Sequence, residues 1–387
     1  MSEKLYYKDP YIKEFEATVT GCFVMADGRY RVSLDRTAFF PEEGGQTPDK
    51  GTLNGMPVVD VILEGDEVFH IVYNLLPEGT KVKGEIDWDH RFRNMQMHTG
   101  EHIFSGLVHE KFGFNNVGFH LSDNSATMDY DGKLSEEDVR ILEDLANKVI
   151  REGHEIITFF PSKEEAESLD YRSKKDIADG LRLVKIEGVD LCACCAPHLK
   201  NTQEVGIIMV TSFENYKGGT RLNYLCGERA YKDYMRLVDL ETALSRLLNS
   251  KKEDIYAAVE KLQGSVSELE FSNVALRRMR VSNICENCEK SIVFLTGDDA
   301  DLLRFAVGEL KSRFCGFCAA FSGDDEKGYR FLAECDGGDL TDLSEILKER
   351  FDMKGGGRNG LLQGSLSGSK SEIEVFLMNE CQNLFEC

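Results

Sequence analysis

The sequence predicts an α+β protein made of a small N-terminal β-barrel, a second α+β domain, a long helical linker and a C-terminal α/β domain. Three observations carry that expectation. Short apolar–polar alternations broken by Gly and Pro fill residues 1–90. Residues 228–281 hold no Pro and a single Gly, with leucines at helical steps. Strand and helix patterns then alternate again over 283–387. The boundaries read as 1–90, 91–228, 229–282 and 283–387, and a chain of 387 residues has room for that many domains.

Segments 30–34, 58–63 and 68–73 alternate with period two, which predicts an antiparallel sheet or barrel. Residues 39–46 form a loop between two of them, with backbone freedom at Gly44 and Gly45. After residue 91 the period lengthens, and Met97, Phe104, Leu107 and Val108 share one helix face. Ser135, followed by Glu-Glu-Asp, starts a second helix that runs through Ile150, and strands return at 181–186 and 206–211. Leu237, Leu240, Leu244 and Leu248 stripe one linker helix. Ile255, Val259, Leu262, Val266, Leu269 and Leu276 stripe the next. The two break near Asn249, and Ser250 with Glu253 reads as the capping box of the second. The pair reads as a packed helical linker, and its heptad spacing also permits a homodimer seam. In the last domain the pattern predicts strands at 291–295, 319–321 and 329–332, helices at 299–313 and 340–351, and a final segment at 372–377.

Composition narrows the function classes. Asp and Glu number 68 against 46 Lys and Arg, a formal net charge of −22. That argues against a generic nucleic-acid coat or a basic membrane-surface protein, and it leaves room for a local basic path. No run of 18 apolar residues predicts a membrane span, and residues 1–8 lack the apolar stretch of a secretory signal. The expected compartment is the cytoplasm, where 12 cysteines read as thiols or metal ligands.

Two motifs carry chemistry. His98-Thr-Gly-Glu-His102 stacks two imidazoles one helical turn apart, where they can share a Zn²⁺ or simply be polar helix residues. The same string fits the HxxEH pattern of some metalloproteases, with Glu101 as general base. Cys192-Ala-Cys-Cys-Ala-Pro-His198 contains a CxxxH pair, Cys194 and His198, and the spacing favours Cys194 over Cys192 and Cys195. Together the two pairs make an N₃S donor set, which is far more specific than either half. Cys285, Cys288, Cys315 and Cys318 form a CxxC…CxxC pattern that reads either as a second zinc site or as buried thiols.

HxxxH followed about ninety residues later by CxxxH resembles the editing domain of alanyl-tRNA synthetase and its free-standing AlaX relatives. Phe40-Pro-Glu-Glu-Gly-Gly-Gln46 resembles the family's Gly-rich loop, and 118–130 the segment that pairs with it. Residues 195–206 resemble the Cys-Gly-Thr-His stretch, and 219–227 the closing strand. The helical pair with 355–364 resembles the DHH-associated C-terminal domain of the same synthetases, so the likeness covers nearly the whole chain, as in the long AlaX type. It implies a zinc-dependent hydrolase that deacylates mischarged tRNA(Ala) in trans, removing serine or glycine, with His98, His102, Cys194 and His198 on the metal. It places Gly44, Gly45, Gln46 and Asn116 at the substrate pocket. Gly44 and Gly45 read equally as a tight turn that needs positive φ. The class II aminoacylation region has no counterpart here, and aminoacylation is not expected.

Two departures bear on specificity. Glu43 stands where the family usually has a third Gly, and Glu101 where synthetase members carry a small hydroxyl residue. Two roles stay open for Glu101, general base or orientation of a ligating histidine. A full His₃Cys set would also fill the tetrahedron that catalytic zinc usually keeps partly open. For contact with the acceptor end and elbow of tRNA(Ala), Lys354, Gly355, Gly356, Gly357 and Arg358, with Lys348 and Arg350, combine cations with a close-approach backbone. Arg277, Arg278 and Arg280 end the long helix and offer a second basic group. Two other readings remain: a peptidase-like zinc hydrolase, and a non-catalytic tRNA-binding relative.

Overall fold

The strand Glu14–Val24 buries Phe15, Ala17 and Val19 on one face and begins the curvature of the N-terminal sheet. Six further antiparallel strands complete a seven-stranded sheet with it, with Met56–Val58 at one edge and Asp60–Glu64 at the other. The expected continuous strand 58–63 is therefore two strands joined by the single residue Val59. One residue cannot span an open seven-stranded sheet, so the sheet curls into a nearly closed barrel. Val59 N–H donates to Ile71 O at 2.9 Å across the gap. Val32, Leu34, Phe39, Val61, Val68 and Val82 fill the interior. His70 lies fully buried among them, its Nε2 2.8 Å from Thr37 Oγ1 and its Nδ1 3.1 Å from Val32 O.

The computed structural model describes residues 2–123, 125–173, 180–296 and 300–380. It divides into two units, Met1–Thr242 and Ala243–Cys387. In the first unit the central helix, Trp88–Phe112, starts at Asp87, whose carboxylate accepts from His90 N–H, and stops at Gly113 with φ +69°. Four strands lie on one side of it: Asn116–Leu121, Ala126–Tyr130, Gly219–Cys226 and Ile208–Tyr216. Three lie on the other: Ile156–Phe159, Leu183–Ile186 and Asp190–Ala193. Two helix glycines admit these neighbours. A Cβ on Gly100 would fall 2.3 Å from Cys226 Sγ, and one on Gly106 2.4 Å from Val189 O. Gly100 thus serves packing inside the HxxxH string.

Ser135 caps Glu136–Glu152 with a reciprocal Asp138 contact, as its position suggested. The strand expected at 206–211 starts later, at Ile208, because Thr202–Val205 forms a 3₁₀ turn and Gly206 takes φ +79°. A buried ion pair fastens the 39–46 loop to the central helix. Arg91 Nε donates to Asp49 Oδ1 at 2.8 Å and Nη2 to Asp49 Oδ2, while its remaining N–H groups reach Pro10 O and Ala38 O.

The second unit holds a five-stranded sheet ordered Ile292–Leu295, Phe317–Asp324, Gly328–Cys335, Leu361–Leu366 and Lys354–Arg358. The linker helices are Gly227–Leu248 and Ile255–Glu286, broken at Asn249, which takes φ +49°. The capping box at Ser250 does not form. A 3₁₀ turn, Lys252–Asp254, intervenes, and Ser250 Oγ has no hydrogen-bond partner. Nor is the linker packed along its stripe: Leu262, Leu269 and Leu276 are exposed, and Val281 and Cys285 are the buried residues of the second helix. Among the described residues no helix is long and apolar enough to cross a membrane.

Burial lowers the His70 pKa from 6.5 to about 4. The unfolded chain therefore binds a proton that the folded chain refuses. The neutral-ring stability is whole above pH 6.5 and is lost as pH falls toward 4, by about 3 kcal/mol. Urea midpoints of the wild type and His70→Gln between pH 7 and pH 4 should show a shallower acid loss in the variant. Equal slopes would show that His70 does not set the acid limb.

Candidate metal centre

His98 and His102 project from one face of the central helix with ring centroids 5.5 Å apart. The turn after Asp190–Ala193 brings His198 to 5.0 Å from the first ring and 4.5 Å from the second. Cys194 Sγ lies 3.5 Å from His98 Nε2 and 3.3 Å from His198 Nε2. One ligand atom from each of the four residues falls within 4.8 Å of all the others.

Each ring is turned by a partner on its other nitrogen. His98 Nδ1 is 2.8 Å from Gln46 Oε1, His102 Nδ1 is 2.9 Å from Asp190 Oδ2, and His198 Nδ1 is 3.1 Å from Thr99 Oγ1. A neutral imidazole that donates through Nδ1 presents the lone pair of Nε2, the arrangement found behind metal-ligating histidines. All three rings and Thr99 are at least 97 % buried, so water cannot serve these atoms instead.

Electrostatics points the same way. Burial pushes the Cys194 thiol up, but the His98 and His198 rings outweigh it and hold the thiol well below its ordinary value. A backbone N–H from Ala196 also reaches Cys194 Sγ at 3.4 Å. Burial drives His198 down to about 3. For His102 burial opposes the charged ring, and the Asp190 carboxylate overcomes it and raises the pKa well above the usual value, so a metal binds its Nε2 in exchange for a proton. A thiolate ringed by three imidazole nitrogens calls for a cation, and one soft sulfur with three nitrogens suits zinc.

The three cysteines are now distinguishable. Cys192 faces His102 and Asp190, and burial raises its thiol to about 11. Cys195 sits against the Gly-rich loop, where a Cβ on Gly44 would come 3.3 Å from its Sγ. Only Cys194 faces all three rings.

The remaining pocket candidates divide. Gly44 and Gly45 take φ +64° and +83°, and a Cβ on Gly45 would come 2.3 Å from Phe119 O, so the turn itself requires glycine. Gln46 is not at a pocket mouth. It is 1 % exposed and orients His98. Asn116 is buried and binds Glu101 Oε1 at 2.6 Å, where Ser105 Oγ also donates at 2.7 Å. Glu101 Oε2 lies 3.7 Å from His102 Nε2, on the side where the donors converge.

In the second unit the four cysteines do not gather. Cys285 donates to Ala306 O, Cys288 to Lys290 O and Cys318 to Phe314 O, and Cys315 is exposed. No metal-capable cluster forms there among the described residues. Lys354, Gly355, Gly356, Gly357 and Arg358 form an exposed edge strand. A Cβ on Gly355 or Gly357 would strike the neighbouring strand, 2.3 Å from Gln363 O or 1.7 Å from Leu361 O, whereas Gly356 faces open space. Arg350 stacks on Phe376, Arg277 pairs with Asp301, and Arg280 donates to Thr296 O.

Sequence reasoning gave no role to Thr99, Asp190 or Arg172. Thr99 sits inside the HxxxH string, which is the one signal that pointed to it. Asp190 is clamped by Arg172 through Nε at 2.7 Å and Nη2 at 2.9 Å, and no spacing rule joins either residue to His102.

Comparison with known proteins converges on this region. The family model described as "Threonyl and Alanyl tRNA synthetase second additional domain" matches residues 181–223. "Alanyl-tRNA editing protein AlaX-L" of Pyrococcus horikoshii is 31 % identical over 96 % of each chain. "Alanyl-tRNA editing protein Aarsd1-B" of Xenopus laevis is 30 % identical over 90 % of this chain and 88 % of its own. An "Alanine--tRNA ligase" of Ignicoccus hospitalis is 33 % identical over 73 % of this chain but only 32 % of its own.

Zinc titration followed by elemental analysis should stop at one ion per chain and fail to load Cys194→Ser. Gln46→Leu keeps the buried volume but removes the His98 acceptor. It should lower zinc affinity roughly 10- to 100-fold in a chelator competition, with an unchanged circular dichroism spectrum. Full affinity in that variant would remove Gln46 from the metal centre.

Proposed function

Since the chain belongs to the free-standing alanyl-tRNA editing family, we propose that it deacylates mischarged tRNA(Ala) in trans, releasing serine or glycine, with zinc held by His98, His102, Cys194 and His198. The observation that carries this reading is the convergence of four donors, three buried histidines and the half-buried Cys194, of which Cys194 and His198 lie inside the matched synthetase domain.

The reaction is ester hydrolysis. Water adds to the aminoacyl carbonyl, the bond to the terminal ribose oxygen breaks, one proton leaves the water and one reaches the ribose oxygen. Bound zinc supplies a Lewis acid for the carbonyl or a more acidic water. The chain's own groups do the rest. Gln46, Asp190 and Thr99 keep the three rings turned inward, and Arg172 holds Asp190 ionised and in place. Ser105 and Asn116 fix one oxygen of Glu101, which sets the other beside the converging donors to accept the proton of the attacking water. Asn116 is then a positioning residue for Glu101. Gly44 and Gly45 are exposed beside Cys195 and form the rim at which the acceptor end enters. Lys354 and Arg358 flank the open backbone of Gly356 and meet phosphates of the tRNA body.

The test is deacylation of Ser-tRNA(Ala), Gly-tRNA(Ala) and Ala-tRNA(Ala) by the zinc-loaded protein. The first two should be hydrolysed and the third spared, and His102→Ala should abolish turnover. No release from either mischarged tRNA with zinc bound would sink the reading. Glu101→Gln should lose about a hundredfold or more in kcat while retaining zinc. A double Lys354→Ala, Arg358→Ala variant should flatten the slope of log K for tRNA against log salt by roughly two.

A further inference from the structure

A second set of buried polar groups lies against the turn that carries Cys194, and the hydrolysis described above makes no use of it. Arg182 is 4 % exposed. Its Nη1 donates to Cys194 O at 2.8 Å and Ala196 O at 2.9 Å, while Nε and Nη2 are buried with no hydrogen-bond partner among the described residues. Those two N–H groups share one edge of the planar guanidinium, the edge that takes two oxygens of a carboxylate or phosphate side by side. A buried cation with that edge empty is costly to keep.

The groups that face it are Cys194, Cys195, Tyr6 and Tyr7, and beyond them the Glu43 carboxylate bonds Cys195 and acts on both tyrosines. The Tyr6 hydroxyl is also buried and without a partner. The Tyr7 ring lies 5.3 Å over the guanidinium and meets Phe160, 5.7 Å away and 55 % exposed. An aromatic wall therefore runs from the buried cation to the surface.

We propose that the Nε/Nη2 edge of Arg182 is an anion subsite of the editing centre, binding the paired oxygens of either the 5′-phosphate of the terminal nucleotide or the carboxylate of the released amino acid. The assignment rests on the editing reading, because both anions adjoin the ester being cleaved. Arg182 Nη1 already holds the carbonyl of Cys194, so the subsite and the metal-binding turn share one rigid side chain. The Tyr7 ring must turn toward Phe160 to admit the anion.

Calorimetry on the zinc-loaded protein compares adenosine 5′-monophosphate with adenosine, and serine with serinamide. In at least one pair the anion should bind about tenfold tighter than its neutral counterpart, and that pair identifies the source. Arg182→Lys keeps a cation but loses the two-pronged edge, and it should bring the ratio to about threefold or less. Ratios near one in both wild-type pairs, or a ratio unchanged in Arg182→Lys, would overturn the assignment. If Arg182→Lys does not fold, the wild-type ratios decide alone. These are binding measurements, so a failure of the editing reading shows separately, as absent deacylation of Ser-tRNA(Ala) with the anion preference intact.

Discussion

Three imidazoles donate through Nδ1 to fixed acceptors, and this leaves their Nε2 atoms aimed at one cysteine sulfur. Most of the first unit can be understood as what it takes to hold that arrangement. The acceptors come from three different places: the Gly-rich loop supplies Gln46, the central helix Thr99, and the strand Asp190–Ala193 supplies Asp190. Each must stay within hydrogen-bond reach while buried, because a ring that turns loses its partner and cannot replace it with water. The geometry therefore survives only if loop, helix and strand are locked to one another.

The locks are visible. Arg91 and Asp49, both fully buried, tie the Gly-rich loop to the central helix at the end nearest the barrel. Gly106 lets the backbone at Val189 come close enough for Asp190 to reach His102. Gly100 does the same for Cys226 on the opposite side. Val59 closes the barrel and so gives the loop a rigid base. A buried ion pair such as Arg91–Asp49 adds little net stability compared with apolar packing, but it permits few alternative geometries, and geometry is what the donors require.

The acidic balance of the chain now has a local meaning. With a net charge of −22, broad attraction to nucleic acid is unfavourable, and several of the basic side chains offered by the sequence are already engaged: Arg277 with Asp301, Arg350 over Phe376, Arg280 with Thr296 O. Lys354 and Arg358 stand on an exposed edge strand, and their spacing is set by sheet register rather than by loop flexibility. The run Gly355–Gly357, legible as a close-approach backbone, divides accordingly. Two of its glycines serve the neighbouring strand, and one faces outward.

What the sequence determined by itself is local and periodic. The strand alternations, the central helix, the Ser135 cap and the break at Asn249 follow from side-chain spacing and backbone preference, which act over a few residues. The HxxxH pair was legible for the same reason: i, i+4 spacing on a helix places two rings together whatever the rest of the chain does. What tertiary structure decided is everything that joins distant segments. The spacing to His198 favoured Cys194, and the path of the turn is what aims its sulfur at the rings while Cys192 and Cys195 face elsewhere. Gln46, Asp190 and Thr99 gained their roles from 52, 88 and 99 residues of separation between partners, where no period operates. The leucine stripe of the linker is regular in sequence yet exposed in the fold. A stripe states which face is apolar, and only packing states whether anything in the chain covers it.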